Sequence, residues 1–190
     1  MWRCSGNNIY MLKINFYPES NLKDFTEAVK VFQQIWVEDG EKITQKWEEV
    51  TGLKFIETEI NAVVADLKSC SHPLTLRYSN ELDIKKSTLV HELGHRILYK
   101  RGSSAGDKTS FERHKFLFLA LYDVFLELYG QEFTSKLIAW DSQLGKDKGQ
   151  SMYEDAWQWA LKYKTKEERQ KVFKEILSGQ YAFLMGSENV

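Results

Sequence analysis

Residues 91–95 read His-Glu-Leu-Gly-His, and this stretch decides both the fold and the chemistry that the chain predicts. Two histidines four positions apart point the same way on an α-helix, one turn from each other, so their imidazoles suit two tetrahedral positions of a zinc ion. Glu92 lies about 100° round the helix, close enough to hold a water without ligating the metal. The spacing therefore predicts a zinc site with a carboxylate base beside it.

The residues around the motif favour a helix. The stretch 83–100 contains no proline, Asn80 or Asp83 can cap its start, and Arg101-Gly102 supplies a stop. Most of the helix circumference is apolar, so we expect this helix to be buried. Gly94 is the only glycine in the stretch, and its missing side chain predicts the close approach of another backbone.

At this motif the chain resembles the zincin metallopeptidases, whose signature is His-Glu-x-x-His on an active-site helix. Eighteen residues separate His95 from His114, which is the interval at which the gluzincins, including the neutral aminopeptidases, place the third ligand on a following helix. That ligand is a glutamate in the gluzincins, whereas this chain has a histidine. The tight His-x-x-Gly-x-x-His spacing of the metzincins is absent, because Arg101 stands six residues beyond His95.

The segment 111–129 is predicted to be the second ligand helix. Its apolar stripe includes His114, and a ligand is expected on the core-facing side. Glu112 is the main rival as third ligand, because it lies near the helix start and because the gluzincin comparison implies a glutamate. Asp123 stands alone among apolar residues, so we expect it to have a partner, either the N–H of a ligating histidine or a buried arginine such as Arg96.

The remaining sequence predicts a sheet in the front half and helices in the back half. Strands are expected at residues 11–17, 55–61, 62–66 and 74–78, with helices at residues 21–37, ended by Gly40, and 43–50, closed by Gly52. Further helices are expected at residues 133–140 and 153–163, and from the capping box Thr165-Lys-Glu-Glu168 to about residue 177. Residues 101–110 form a polar loop with glycines, which we interpret as a surface connector rather than a cover over the cleft.

Composition agrees with a folded enzyme of one domain. The 190 residues are 43% hydrophobic and 14% aromatic, and the formal net charge is −1, so nothing indicates a nucleic-acid or anionic-membrane partner. Two cysteines, Cys4 and Cys70, make no disulfide framework. No apolar run near the start has the length of an export signal, so a cytoplasmic protein is expected. Residues 1–10 are interpreted as a loose N-terminal segment and residues 11–190 as the single domain.

The fold expected is therefore α+β and zincin-like, with a small mixed sheet, the His-Glu-x-x-His active-site helix, a second ligand helix and a helical C-terminal part. As a whole the chain looks like the small zincin-like proteins of microbes, specifically over residues 83–129. The resemblance implies a zinc-dependent metallopeptidase that holds zinc through His91, His95 and His114 and uses Glu92 as general base. A peptide or protein substrate would pair with the edge strand 74–78.

Three further expectations stay open at this point. Tyr78, Tyr122 and Arg96 are candidate donors to the oxyanion that forms when a peptide carbonyl is attacked. The main alternative function is a zinc-binding regulatory or interaction protein with a zincin fold that does not cleave. A third possibility is hydrolysis of a non-peptide amide, which would use the same groups.

Overall fold

The computed structural model of the chain describes residues 12–98, 110–144, 146, 149 and 151–186. Its elements in chain order are β1 (Lys13–Pro18), α1 (Lys23–Thr51), β2 (Glu59–Ala65), β3 (Leu74–Arg77), α2 (Leu82–Leu98), α3 (Ser110–Asp141), α4 (Met152–Ala160) and α5 (Lys166–Gly186). The predicted α+β class is confirmed, with helices as the larger part. The predictions for residues 1–10, for the helix stop at 101–102 and for most of the loop 101–110 lie outside the described residues.

The three described strands form one sheet in the order β1-β2-β3, and both pairings are parallel. The prediction of a mixed sheet is therefore wrong. After β2 the chain turns back and runs antiparallel to β3 along its outer edge. There Cys70 and Thr75 form a single antiparallel β-bridge through their backbones. It then reverses into β3, so this return segment of residues 66–73 lets neighbouring strands run in the same direction. The two strands predicted at 55–61 and 62–66 are one strand, β2.

One face of the sheet is covered by helices, and the other is largely exposed and mostly polar. Ile14 and Phe16 of β1 and Ile60 of β2 are buried in the core that α1, α2 and α3 share. On the other face, Asn15 donates hydrogen bonds to Glu59 at 2.6 Å and to a neighbouring asparagine. Parallel sheets are usually covered on both faces, whereas this alternation of buried and polar positions is more typical of antiparallel sheets.

Helix α1 is continuous across Gly40, so the prediction that this residue ends a helix is wrong. A Cβ atom at Gly40 would lie 2.7 Å from the indole of Trp36, which packs over this turn. The glycine therefore makes room for a side chain one turn earlier. The helix ends where the sequence predicted, at Gly52, whose φ of 71° is in the left-handed region.

The C-terminal helices follow the predicted order. Helix α3 is interrupted at Gly130, with φ 82° and ψ 177°, between the two helices that the sequence predicted there. The capping box is confirmed, because Thr165 Oγ1 accepts from the Glu168 N–H at 3.2 Å and Glu168 Oε2 accepts from the Thr165 N–H at 3.0 Å. Helix α5 extends to Gly186, further than the residue 177 expected.

A search of the described helices for a membrane-spanning segment found none of sufficient length and apolarity.

Candidate metal centre

Helix α2 carries the His-Glu-Leu-Gly-His motif and is anchored by helix α1. Trp47 of α1 is fully buried, and its indole N–H donates a 3.1 Å hydrogen bond to the carbonyl oxygen of Val90. A Cβ atom at Gly94 would lie 2.6 Å from Leu117 Cδ1 and would also collide with the Trp47 ring. The close approach predicted at Gly94 is therefore made by side chains of α1 and α3 rather than by another backbone.

Three histidines converge between α2 and α3. One ring nitrogen from each of His91, His95 and His114 can be chosen so that all three atoms lie within 4.8 Å of one another. The Nε2 atoms of His91 and His95 are 3.1 Å apart. Two nitrogens that both lie ~2.0–2.1 Å from a tetrahedral zinc ion are themselves about 3.3 Å apart. The three side chains are therefore close enough to hold one metal ion, with small adjustments of their rotamers.

The protonation states of the two motif histidines suit metal ligands. Burial lowers the pKa of His91 well below its ordinary 6.5, and nearby His95, His114 and Lys68 lower it further. Burial also lowers the pKa of His95 to about 3, with His114 and Arg113 adding to the effect. Both imidazoles are therefore neutral at pH 7, and each has a lone pair to donate to a metal without first losing a proton.

Glu92 lies beside the histidines without joining their group of donor atoms. Its side chain is buried, and burial raises its pKa to about 8, opposed only in part by the charge of Lys68. A divalent cation next to this carboxyl group would favour the ionised form. Glu92 also lines a cavity of about 190 Å³ that it shares with His91. The carboxylate thus faces the space that a substrate could enter.

Tyr153 is a site residue that the sequence analysis missed. Its ring packs against His114 at 4.6 Å between centroids, and it lines the same cavity as His91 and Glu92. Burial raises its pKa, as do the charges of Asp141 and Glu92, so the hydroxyl is protonated at neutral pH and can donate a hydrogen bond. Tyr153 opens α4, far along the chain from the motif, and no spacing rule connects the two.

The rival third ligand, Glu112, lies outside this group of donors. It is exposed, and Lys115 one turn later lies 3.2 Å from its Oε1 atom. Among the described residues, the one metal-capable group of histidine, cysteine or carboxylate side chains consists of His91, His95 and His114. Burial separates the two candidates, since His114 is 7% exposed and faces the core as its position on the apolar stripe predicted.

Asp123 has a buried arginine as partner, but not the arginine expected. Its two carboxylate oxygens accept from Arg169 Nε at 3.0 Å and Nη2 at 2.6 Å, and both side chains are almost fully buried. Arg96 instead pairs with Glu57 and donates to the carbonyl oxygen of Ser71. Asp123 is nine positions beyond His114, about 13.5 Å along the helix. Its ion pair therefore connects α5 to α3 and does not orient a histidine of the cluster.

The three candidate oxyanion donors each have other contacts in the structure. Arg96 makes the contacts just described, Tyr78 packs against Phe25 at 4.6 Å between ring centroids, and Tyr122 lies under the guanidinium of Arg169 at 4.5 Å. Among the described residues, Tyr153 is a hydroxyl-bearing aromatic residue whose ring contacts the histidine cluster.

The predicted substrate strand is an edge strand, but its outer edge is already bonded within the chain. The N–H and carbonyl of Thr75 pair with Cys70 at 2.8 and 3.0 Å, and the Arg77 N–H donates to Ser69 Oγ at 3.1 Å. A peptide that bound along these groups would have to displace the return segment. The cavity beside Glu92 is open without such a displacement.

Comparisons with protein-family models, with curated proteins and with solved structures found no significant match to the chain.

Proposed function

We propose that the protein is a zinc-dependent metallopeptidase of the zincin type. The observation that carries this proposal is the convergence of His91, His95 and His114 around one point, with the buried carboxyl group of Glu92 beside them on the wall of an open cavity. A structural zinc site typically uses four protein ligands and has no need of a general base. Three histidines leave a coordination position open, which is typical of catalytic sites.

The donor set fits zinc in chemistry as well as in distance. Neutral imidazoles are common ligands of zinc, and three of them next to a carboxylate are typical of hydrolytic centres. When bound, zinc would supply Lewis acidity, which lowers the pKa of water towards ~7 and polarises a carbonyl group. The chain's own residues then have to position the substrate and move the protons.

Glu92 is proposed to move the proton. Its carboxylate would accept a proton from the attacking water and deliver it to the nitrogen of the leaving amine. Tyr153 is proposed to donate its hydroxyl hydrogen to the carbonyl oxygen as negative charge develops there. Its position against His114 and its raised pKa support this role, because a donor must keep its hydrogen at working pH.

The test uses Glu92→Gln, which keeps the size of the side chain but cannot accept a proton. We expect the wild type to bind about one zinc per chain and to cleave members of a broad peptide library. We expect Glu92→Gln to bind the same amount of zinc and to lose ~10²–10⁴ of the turnover, the range of general acid–base catalysis. Zinc is measured by metal analysis, and turnover by mass spectrometry of the library products.

Two controls make this experiment decisive. Glu112→Gln is the matched control, because Glu112 is an exposed glutamate outside the donor group, and it should keep both zinc and turnover. Equal turnover in the wild type and Glu92→Gln would assign the cleavage to another mechanism or to a contaminant. If the wild type and both variants bind zinc and none of them cleaves a peptide, the alternative is favoured, a zinc-binding regulatory or interaction protein without peptidase activity.

A further inference from the structure

The cavity beside Glu92 extends away from the histidines to the junction of α3 and α4. Its walls include Trp140 and Asp141 from the end of α3 and Tyr153 from the start of α4. Its volume of about 190 Å³ is smaller than the ~300–1,000 Å³ of pockets for drug-sized ligands, so it suits one side chain or one chain terminus. It is therefore a place where a substrate group next to the scissile bond could be selected.

Asp141 presents an incompletely bonded carboxylate to this cavity. Its Oδ2 atom accepts a 3.0 Å hydrogen bond from the indole N–H of Trp157, a side chain that is 1% exposed. Within the described part of the chain, the Asp141 side chain has no other hydrogen bond and no ion pair, and the residue lines the cavity. Burial of a carboxylate has a desolvation cost, and one hydrogen-bond donor offsets little of it. A cation that pairs with the carboxylate would offset more.

The other charged residues of the cavity do not supply that cation. Arg77 lies 3.7 Å from Asp66 and donates to Ser79 at 3.3 Å, and its side chain is half exposed. Lys68 is exposed, and no described side chain forms an ion pair with it. Exposed cations keep their hydration, and their pairing contributes little. Two carboxyl groups of the cavity, those of Glu92 and Asp141, have no ion pair among the described residues. Because Glu92 is proposed to transfer the proton, Asp141 is the carboxyl group left for a cationic substrate group.

We propose that this cavity selects a cationic group of the substrate, either a lysine or arginine side chain or an N-terminal ammonium, with Asp141 as its counter-charge. The inference rests on the proposed peptidase function and adds the class of substrate to it. Trp140 and Tyr153 line the same cavity, and aromatic side chains are typical partners for the aliphatic stem and the cation of such a group. Burial raises the pKa of Asp141 to about 7, and a bound cation would favour its ionised form.

The test compares paired peptides that differ only in charge. A peptide cleaved in the library screen is remade with lysine or with norleucine at each position in turn, blocked at both ends. A third version carries norleucine and a free N-terminus, which separates the two sources of the cation. We expect the zinc-loaded wild type to prefer one cationic version by about tenfold or more in kcat/KM, the range for a hydrogen bond to a charged group.

Asp141→Asn should abolish that preference, because the amide can still accept from Trp157 but carries no charge. Asp155→Asn is the matched control, since Asp155 is an exposed carboxylate of α4 that bonds Ser151 outside the cavity. It should keep the preference. If Asp141→Asn does not fold, Leu144→Lys replaces it, because an ammonium at this cavity-lining position would compete with the substrate cation.

The outcomes separate this inference from the proposed function. Equal kcat/KM for lysine, norleucine and free N-terminal peptides overturns the inference while the peptidase stands. A preference for glutamate over glutamine peptides that is lost in Lys68→Met also overturns it. If no library peptide is cleaved, the proposed function fails, and calorimetry decides the inference. The wild type must then bind a cationic peptide about tenfold more tightly than its norleucine partner, and Asp141→Asn must not.

Discussion

The indole N–H of Trp47 donates to the carbonyl oxygen of Val90 at 3.1 Å, and the whole Trp47 side chain is buried. Val90 directly precedes His91, so this bond connects helix α1 to the turn of α2 that begins the His-Glu-Leu-Gly-His motif. The same indole occupies the space that Gly94 leaves by having no side chain. The helix that carries two of the three histidines is thus positioned by one tryptophan and one glycine.

Gly94→Ala should destabilise the protein even though alanine is the better helix former. The added Cβ would lie 2.6 Å from Leu117 Cδ1 and would collide with Trp47, and overpacking of a core typically costs ~1–3 kcal/mol. Thermal unfolding measures the effect. Gly179→Ala on α5 is the matched control, because no side chain of the described residues lies within 4 Å of a Cβ there, and it should stabilise by up to ~1 kcal/mol. Equal stabilisation by both changes would contradict the packing argument.

His114→Ala should weaken zinc binding far more than Glu112→Ala. The first change removes an imidazole from the donor group, and the second removes an exposed carboxylate that pairs with Lys115. Loss of an outer residue of a zinc site typically costs 10–100-fold in affinity, so loss of a ligand should cost more than about 100-fold. Competition with a chelator of known affinity measures this. Zinc lost in Glu112→Ala and kept in His114→Ala would make Glu112 the ligand.

Arg169→Met should destabilise the fold by ~3–5 kcal/mol, because it leaves Asp123 buried without its partner. Denaturant unfolding measures the free energy, and zinc content measured on the folded protein should not change. Lys30→Met is the control, since it breaks an exposed pair with Glu27 and should leave the unfolding midpoint unchanged. Zinc loss in folded Arg169→Met would instead connect Asp123 to the metal centre.

Asp141→Asn should become more stable relative to the wild type as pH rises from about 4 to about 7. Burial raises the pKa of Asp141 from 3.8 to about 7, so the folded state holds a proton that the unfolded state has already lost. The stability from this group is complete below the unfolded pKa and is lost as pH rises through the folded pKa. The asparagine variant has no such loss.

The pH prediction is checked by denaturant unfolding of wild type and Asp141→Asn, both treated with chelator, across this pH range. Chelation removes the separate pH dependence of metal binding. Asp155→Asn should show no comparable trend, because Asp155 is exposed and bonds Ser151. A constant difference between the wild type and Asp141→Asn across the range would show that Asp141 titrates normally in the folded protein.

Most of the three-histidine cluster could be predicted from the sequence, because its geometry is local. The spacing of His91 and His95 places both on one side of one helix, and the apolar stripe of α3 turns His114 towards the core. The reciprocal bonds between Thr165 and Glu168 are equally local, since they connect residues within one turn. In each case the helical period of 3.6 residues is enough to predict which side chains lie close together.

The tertiary structure alone decided the relationships between distant segments. Successive side chains point to opposite faces in parallel and antiparallel strands alike, so the strand pattern did not fix the direction of β3, which depended on the return segment through Cys70. The sequence could not show which arginine pairs with Asp123, because the chain contains several arginines. The packing of α5 against α3 decided that the partner is Arg169. Tyr153 and Asp141 reach the cavity through the packing of α4 against α3, and no local period connects either to the motif. The sequence by itself thus determined the helix faces and the histidines they present, whereas long-range packing decided what surrounds them.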